Sequence, residues 1–407
     1  MWIVIELDKL IDAKSLTSVK ESMKKRGAED VFDLFLSAYE NIKERYNNTE
    51  LEKIARKTSM SIINDPKDDL STFLSAYLSL PNLSHPDVPH GLSEDDNILI
   101  KESTFEAPDR HKTYQEIGFK FNIFHPEIYP HITGEGFPLL FSVGPHLERA
   151  LVELMLDHHI SCGYEDVSVP TVVHERTLNV AGSFPERQQD CYRIEKTDLY
   201  LNPTIEMQQT SFIAEKHFHY DDLPIKAVGY VRSFRMERGK AVDLYTTLHE
   251  FGKVECFTVT TEDGWKDMLE SLFEVLENLL DKLGLQWRKI LLCTGDMGQA
   301  ATLTYDYEVY CPGSKKWLEV SSLGYRDTYQ AVRLNATYQD GSERKYVHIF
   351  SAPAFAIPRI LCAVLETSYQ EDGTLKLPDA LVGRAGLPES VTQQDFKSKL
   401  LQQLRRS

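Results

Sequence analysis

Phe234-Arg235-Met236-Glu237 closes one strand-like run, 227–234, and Phe251-Gly252-Lys253-Val254-Glu255 opens the next, 251–260, with a polar loop between them. Side chains alternate along a strand, so Arg235 and Glu237 share a face on which a guanidinium can take a phosphate and a carboxylate an amine. Phe251 is placed to stack on a purine. By themselves these residues fit an ordinary surface ion pair better than a ligand site. Farther on, Arg359 stands in Ala356-Ile357-Pro358-Arg359-Ile360-Leu361-Cys362, where proline starts an apolar helix. An arginine there can meet the far end of a polyphosphate, or can simply be a surface residue at a helix start.

Around these pieces, further strand signals fall at 305–310 and 316–322, with Cys311-Pro312-Gly313-Ser314 as the turn of a hairpin, and the strands read as mostly antiparallel. Leu147, Leu151 and Leu154 mark one helix. Trp265, Leu269, Leu272, Phe273, Leu276, Leu279 and Leu283 mark a longer one that Gly284 closes. The first 80 residues read as helical, with Leu34, Ala38, Ile42 and Tyr46 on one face and a break at Asn64-Asp65-Pro66. Pro81, Pro86 and Pro89 then stiffen an extended connector, because each fixes its own φ and pushes its predecessor out of the helical region. The expected division is a helical region over 1–110, a large α+β unit over 111–385 and a tail over 386–407.

The chain has 407 residues, 42% hydrophobic and 26% charged, with no run approaching the roughly 18 consecutive apolar residues of a membrane span. Its 45 Lys and Arg stand against 62 Asp and Glu, a net charge of −17, so any nucleic acid must meet a local basic patch. The six cysteines show no CxxC spacing and are expected to be reduced thiols. The first residues lack the Arg- and Ser-rich character of a mitochondrial presequence. His217-Phe218-His219 has metal-like spacing without a neighbouring third ligand and is expected in a surface strand or helix end; His158-His159 is expected at an interface or the surface.

The order and spacing of these pieces resemble the three motifs of class II aminoacyl-tRNA synthetases: a helix, strand and proline over 146–170, the Arg235 to Glu255 strand pair, and the Arg359 helix. The resemblance sharpens to the seryl-tRNA synthetase family through Leu80-Pro81-Asn82-Leu83, Tyr200-Leu201-Asn202-Pro203-Thr204-Ile205-Glu206, Leu292-Cys293-Thr294-Gly295-Asp296 and Leu318-Glu319-Val320-Ser321-Ser322. It covers about 70–385, and more loosely the first 27 residues. It implies a class II antiparallel sheet flanked by helices, with an N-terminal helical hairpin. ATP contacts then fall on Arg235, Glu237, Phe251, Glu319, Ser322 and Arg359, and contacts to the amino group of serine on Thr204, Glu206 and Glu255. Thr204 in place of a cysteine implies no zinc. Motif 1 implies a dimer, with its interface on the Leu147, Leu151 and Leu154 helix and the strand ending at Pro170.

Several positions depart from the family's pattern. Its His-Thr-Leu-Asn-Gly-Ser-Gly reads His348-Ile349-Phe350-Ser351-Ala352-Pro353-Ala354 here, so the two side chains that contact the bound amino acid have become Ser351 and Pro353. A phosphate-binding arginine has become Thr247, the family's Cys-Ser-Asn reads Leu323-Gly324-Tyr325, and its paired arginines read Val332-Arg333. The tRNA-gripping arm shrinks to 28–79, with six basic against ten acidic residues. These departures resemble a catalytically degenerate, seryl-tRNA synthetase-like branch found in insect mitochondria. The resemblance implies a pseudoenzyme of the mitochondrial matrix with vestigial ATP and serine sites, weakened Mg-ATP binding and no required cofactor. Its partners would be tRNA or other mitochondrial RNA, not gripped chiefly by the arm, and either a second copy or the genuine mitochondrial seryl enzyme. An active serine-tRNA ligase and an adenylating ligase with a non-tRNA acceptor are the alternatives.

Overall fold

Two apolar stripes fit the helical repeat in the acidic arm, and the one carrying aromatic rings is the one buried. A computed structural model describes residues 5–55, 67–180, 188–237 and 242–404; the chain start, the Asn64-Asp65-Pro66 break, Arg405 and Arg406 lie outside them. Helices α1 (Leu16–Lys25), α2 (Glu29–Ile42) and α3 (Asp69–Ser79) build the N-terminal region. The buried stripe of α2 is Phe32, Phe35, Ala38 and Ile42, whereas Leu34, expected on the inner face, is 49% exposed. Phe35 packs on Phe73 and Tyr77 of α3 with ring centroids 5.6 and 5.7 Å apart. Aromatic rings remove more apolar area from water than a leucine does, and that decides between stripes about one residue out of phase. Asp68 and Ser71 cap α3 reciprocally. This helical region does not stand apart as a solvated hairpin: its core runs on into Val173, Leu178, Tyr200, Met207, Tyr329 and Val332 of the larger unit.

The proline connector is fastened by backbone bonds from Asn82 N to Gln299 O (2.8 Å) and from His85 N to Thr302 O (2.9 Å). The Asn82 amide adds bonds to Ala300 O and Arg326 O at 3.1 and 2.9 Å. Beyond it, strands β1 (Ile98–Glu102), β2 (Glu165–Asp166), β3 (Ile225–Phe234), β4 (Glu250–Thr260), β5 (Trp287–Leu291), β6 (Leu303–Cys311), β7 (Lys316–Asp327) and β8 (His348–Ala356) form one sheet in the order β1-β5-β6-β7-β8-β4-β3-β2. Every neighbouring pair is antiparallel except β2 with β3. All four strand signals read from the sequence lie in this sheet. The hairpin between β6 and β7 turns at 312–315, where Gly313 is required by space: a Cβ there would sit 1.9 Å from Lys112 O. Glu366 accepts the Gly313 and Ser314 amides at 2.8 and 2.9 Å and pins the turn to the distant helix Ile357–Ser368.

Helices α4 (Gly144–Ser161), α5 (Trp265–Lys282) and α6 (Ile357–Ser368) cover one face of the sheet. Alternation sends Val254 and Cys256 of β4, Tyr307 and Val309 of β6, Leu323 and Tyr325 of β7, and Phe350, Ala352 and Ala354 of β8 into that core. Leu147, Leu151 and Leu154 belong to the same core and are buried within the chain, so they cannot form the association surface expected of them. His158 and His159 are buried too, not superficial. His158 Nε2 donates to Val275 O at 2.8 Å, and His159 Nδ1 donates to Met155 O at 2.8 Å. His217-Phe218-His219 is a strand pairing parallel to 337–339, with His217 Nδ1 2.9 Å from Thr337 Oγ1.

Candidate active site

The residues that alternate with the core positions line the opposite face, and there they enclose a cleft of about 510 Å³. β4 contributes Phe251, Lys253 and Glu255, spaced by two; β6 contributes Thr304 and Asp306. On β7 the spacing would put Glu319 and Ser322 on opposite faces, but the register slips between Glu319 and Ser321. A bulge of this kind shifts the phase by one and lets Glu319, Ser322 and Arg326 all face the cleft. Pro353 occupies an interior strand, where its missing N–H would break the ladder; the register shifts between Pro353 and Phe355, as a proline inside a sheet requires.

Arg235, Glu237, Phe251, Glu319, Ser322, Arg359, Thr204, Glu206, Glu255, Thr247 and Pro353 all line this cleft. Ser351 stands just behind the wall and accepts a hydrogen bond from Arg326 at 3.1 Å. At the outer end the Arg235 guanidinium lies over the Phe251 ring, 5.1 Å from its centroid, and its Nε donates to Pro203 O at 3.1 Å. Arg359, at the start of α6, donates to Glu319 O at 2.6 Å and to Thr246 O at 3.3 Å, and meets the Glu319 carboxylate at 3.4 Å. Asp243 holds the amides of Tyr245 and Thr247 at 2.9 and 3.1 Å, which fixes the loop carrying Thr247. Burial works to raise the Asp243 carboxyl, but the Thr246 hydroxyl and these loop amides outweigh it and hold it below the ordinary value.

The inner end is built from buried charges. Thr204 Oγ1 donates to Glu255 at 2.7 Å and accepts from Lys253 Nζ at 2.8 Å, while Lys253 pairs with Glu255 at 2.9 Å. Glu206 pairs with Arg326 at 3.3 Å and accepts from Gln330 Nε2 at 3.0 Å. Burial alone would raise the Glu206 carboxyl; Arg326 first, then Gln330, Lys253 and Ser351, outweigh it and hold it below the usual carboxylate range. Asp306 goes the other way. Burial and then the neighbouring Glu319 push it well up, against a hydrogen bond from Ser322, and its Oδ1 has no partner among the described residues. Lys253, Asp306, Arg326 and Gln330 were not assigned from the sequence. Strand alternation could have placed Lys253 and Asp306 in the cleft, but no local pattern ties Arg326 to Glu206, 120 residues away. Among the described residues no cluster of three or more His, Cys, Asp or Glu side chains is arranged to hold a metal ion.

A cleft on an antiparallel sheet with arginine and an aromatic ring at one end and buried carboxylates at the other suits a nucleotide joined to a small amine-bearing acid. Residues 190–368 match the tRNA synthetase class II core domain shared by the glycine, histidine, proline, serine and threonine enzymes. The serine-tRNA ligase of Desulforapulum autotrophicum is 32% identical, over 94% of this chain and 98% of its own, and that of Chloroflexus aurantiacus is 35% identical over 75% and 74%. The crystal structure of seryl-tRNA synthetase from Pyrococcus horikoshii complexed with ATP superposes with a TM-score of 0.81 at 25% identity, covering 94% of this chain and 99% of the other. The fold and cleft are those of a class II aminoacyl-tRNA synthetase. Within that class, the chain belongs to the seryl-tRNA synthetase family.

Proposed function

We propose that this chain is a seryl-tRNA synthetase-derived pseudoenzyme of mitochondria that binds tRNA or another RNA and pairs with the genuine mitochondrial seryl-tRNA synthetase. The observation that carries this reading is Pro353 on the cleft wall. It offers no side-chain donor or acceptor, and its carbonyl already accepts a hydrogen bond from Ser321 Oγ at 2.6 Å. A site that recognises a hydroxyl by hydrogen bonding discriminates by factors as large as roughly 10⁴, so loss of that partner removes the basis for choosing serine. Thr247 stands in the cleft where the resemblance calls for a phosphate-binding arginine, and one lost contact to developing charge costs about 10²–10³ in rate. The mitochondrial placement rests on the Val347-His348 and Ala356-Ile357-Pro358-Arg359 segments, which resemble animal mitochondrial seryl enzymes more than bacterial ones.

A second reading, an active serine-tRNA ligase, is favoured by the convergence of Arg235, Phe251, Glu319 and Arg359 on one cleft, the end at which ATP would be held. Charging of tRNA with labelled serine separates the two. The pseudoenzyme reading expects no product above background at micromolar protein; charging at the rate of an ordinary family member refutes it.

A further inference from the structure

We propose that Arg326 is a resident occupant of the amino-acid end of the cleft, its guanidinium taking on Glu206 the place that a ligand ammonium would otherwise take. The inference rests on the reading above that the buried carboxylates mark the amino-acid end. Three buried charges and the largely buried Arg326 sit there, and they match within the chain: Glu206 with Arg326 at 3.3 Å and Glu255 with Lys253 at 2.9 Å. A free amino acid would bring a further positive charge into a pocket whose negative charges are already neutralised, and would have to displace a fixed guanidinium to reach Glu206.

The chain is built to keep Arg326 there. The Asn82 amide of the connector clasps Arg326 O at 2.9 Å, and Thr302 N holds the preceding carbonyl, Tyr325 O, at 2.9 Å. Ser351 accepts from the guanidinium at 3.1 Å. Gly324, two residues earlier on the same face of β7, leaves the space: a Cβ there would lie 2.5 Å from Arg326 Nη1 and 2.6 Å from Cζ. A glycine and an arginine spaced by two on one strand face therefore act together, one vacating the room that the other fills. The consequence concerns specificity. The cleft discriminates against ligands with an ammonium at the acyl end, while its adenosine end is unaffected by Arg326.

The test uses two probes, 5′-O-(N-seryl-sulfamoyl)adenosine and its desamino counterpart, titrated by calorimetry into the full-length chain and its variants. The wild type should bind the two within about threefold of each other. Arg326→Ala should bind the amine-bearing compound about tenfold or more tightly than the desamino one, the worth of a charge-assisted contact. Adding Glu206→Gln should erase that preference. Gly324→Ala keeps every charge and displaces only the guanidinium; it should move in the same direction and decides the matter if Arg326→Ala does not fold. A wild type that already prefers the amine by tenfold overturns the proposal, as do folded variants that show no preference or bind neither compound. Serine activation by the wild type would instead refute the pseudoenzyme reading, and it is read in a separate assay.

Discussion

Lys253 and Glu255 are two of the least exposed charged residues of the cleft, with side chains 9% and 2% exposed. Removing one partner of such a pair strands the other without solvent, so Lys253→Met should cost about 3–5 kcal/mol in chemical denaturation, and the Lys253→Met/Glu255→Gln double variant clearly less. Costs of the two single variants that simply add in the double variant would mean the pair is not coupled. His159 gives the second residue-scale prediction. Its Nδ1 is committed to Met155 O and its buried Nε2 has no partner, so a second proton has nowhere to go, and burial pushes its pKa down to about 4 from 6.5. Between those values the unfolded chain binds more protons than the folded one. Stability from this group is therefore fully present above pH 6.5 and lost as pH falls towards 4, by about 2 kcal/mol between pH 7 and 5. His159→Leu should flatten that part of the pH profile of denaturation midpoints; an unchanged slope contradicts the assignment. The cleft carboxylates were legible as residues in recognisable segments. What already holds them was not, because Arg326 reaches Glu206 only once β7 is folded beside Glu206–Ser211.

Elements were legible where a single periodicity was present. The strands around 227–234, 251–260, 305–310 and 316–322 stood out because polar and apolar residues alternate on a sheet with one face in a helical core and the other in a cleft. In α2 two apolar stripes compete, and spacing alone favours neither; the aromatic cluster with α3 decides. Phe35→Ala should accordingly destabilise the chain by about 3–5 kcal/mol in urea, whereas Leu34→Ala, on the exposed side, should stay within about 0.5 kcal/mol. The reverse ranking would restore the stripe read from the sequence. Because this core is shared with Tyr200, Met207 and Tyr329, the loss should appear in one cooperative transition with the cleft. The bulge in β7 was not legible, since a one-residue phase slip leaves no compositional trace while reversing which side chains face the ligand.

At the scale of the molecule, the burial of Leu151 moves the proposed association surface outward, to the exposed end of α4 and the edge strand β2, where Ile160, Glu165 and Asp166 face solvent. A net charge of −17 makes unspecific association with RNA or with another acidic chain unfavourable at long range, so pairing must be carried by a matched local patch. Co-expression with the genuine mitochondrial seryl enzyme under two different tags should yield a one-to-one complex on sequential purification, lost on Ile160→Glu; recovery of homodimers or monomers alone contradicts the heterodimer. We propose that a seryl-type fold has kept Arg235, Phe251, Glu319 and Arg359 together in its cleft and lost serine activation, because Pro353, Thr247 and the Glu206–Arg326 pair occupy or disable what serine and its adenylate need. Amino-acid-dependent exchange of labelled pyrophosphate into ATP, run with each of the standard amino acids on the full-length chain, tests it most directly. The account predicts no exchange above background with any of them. Exchange with serine at the rate of an ordinary family member would contradict it, and exchange with a different amino acid would point to an adenylating ligase of altered specificity.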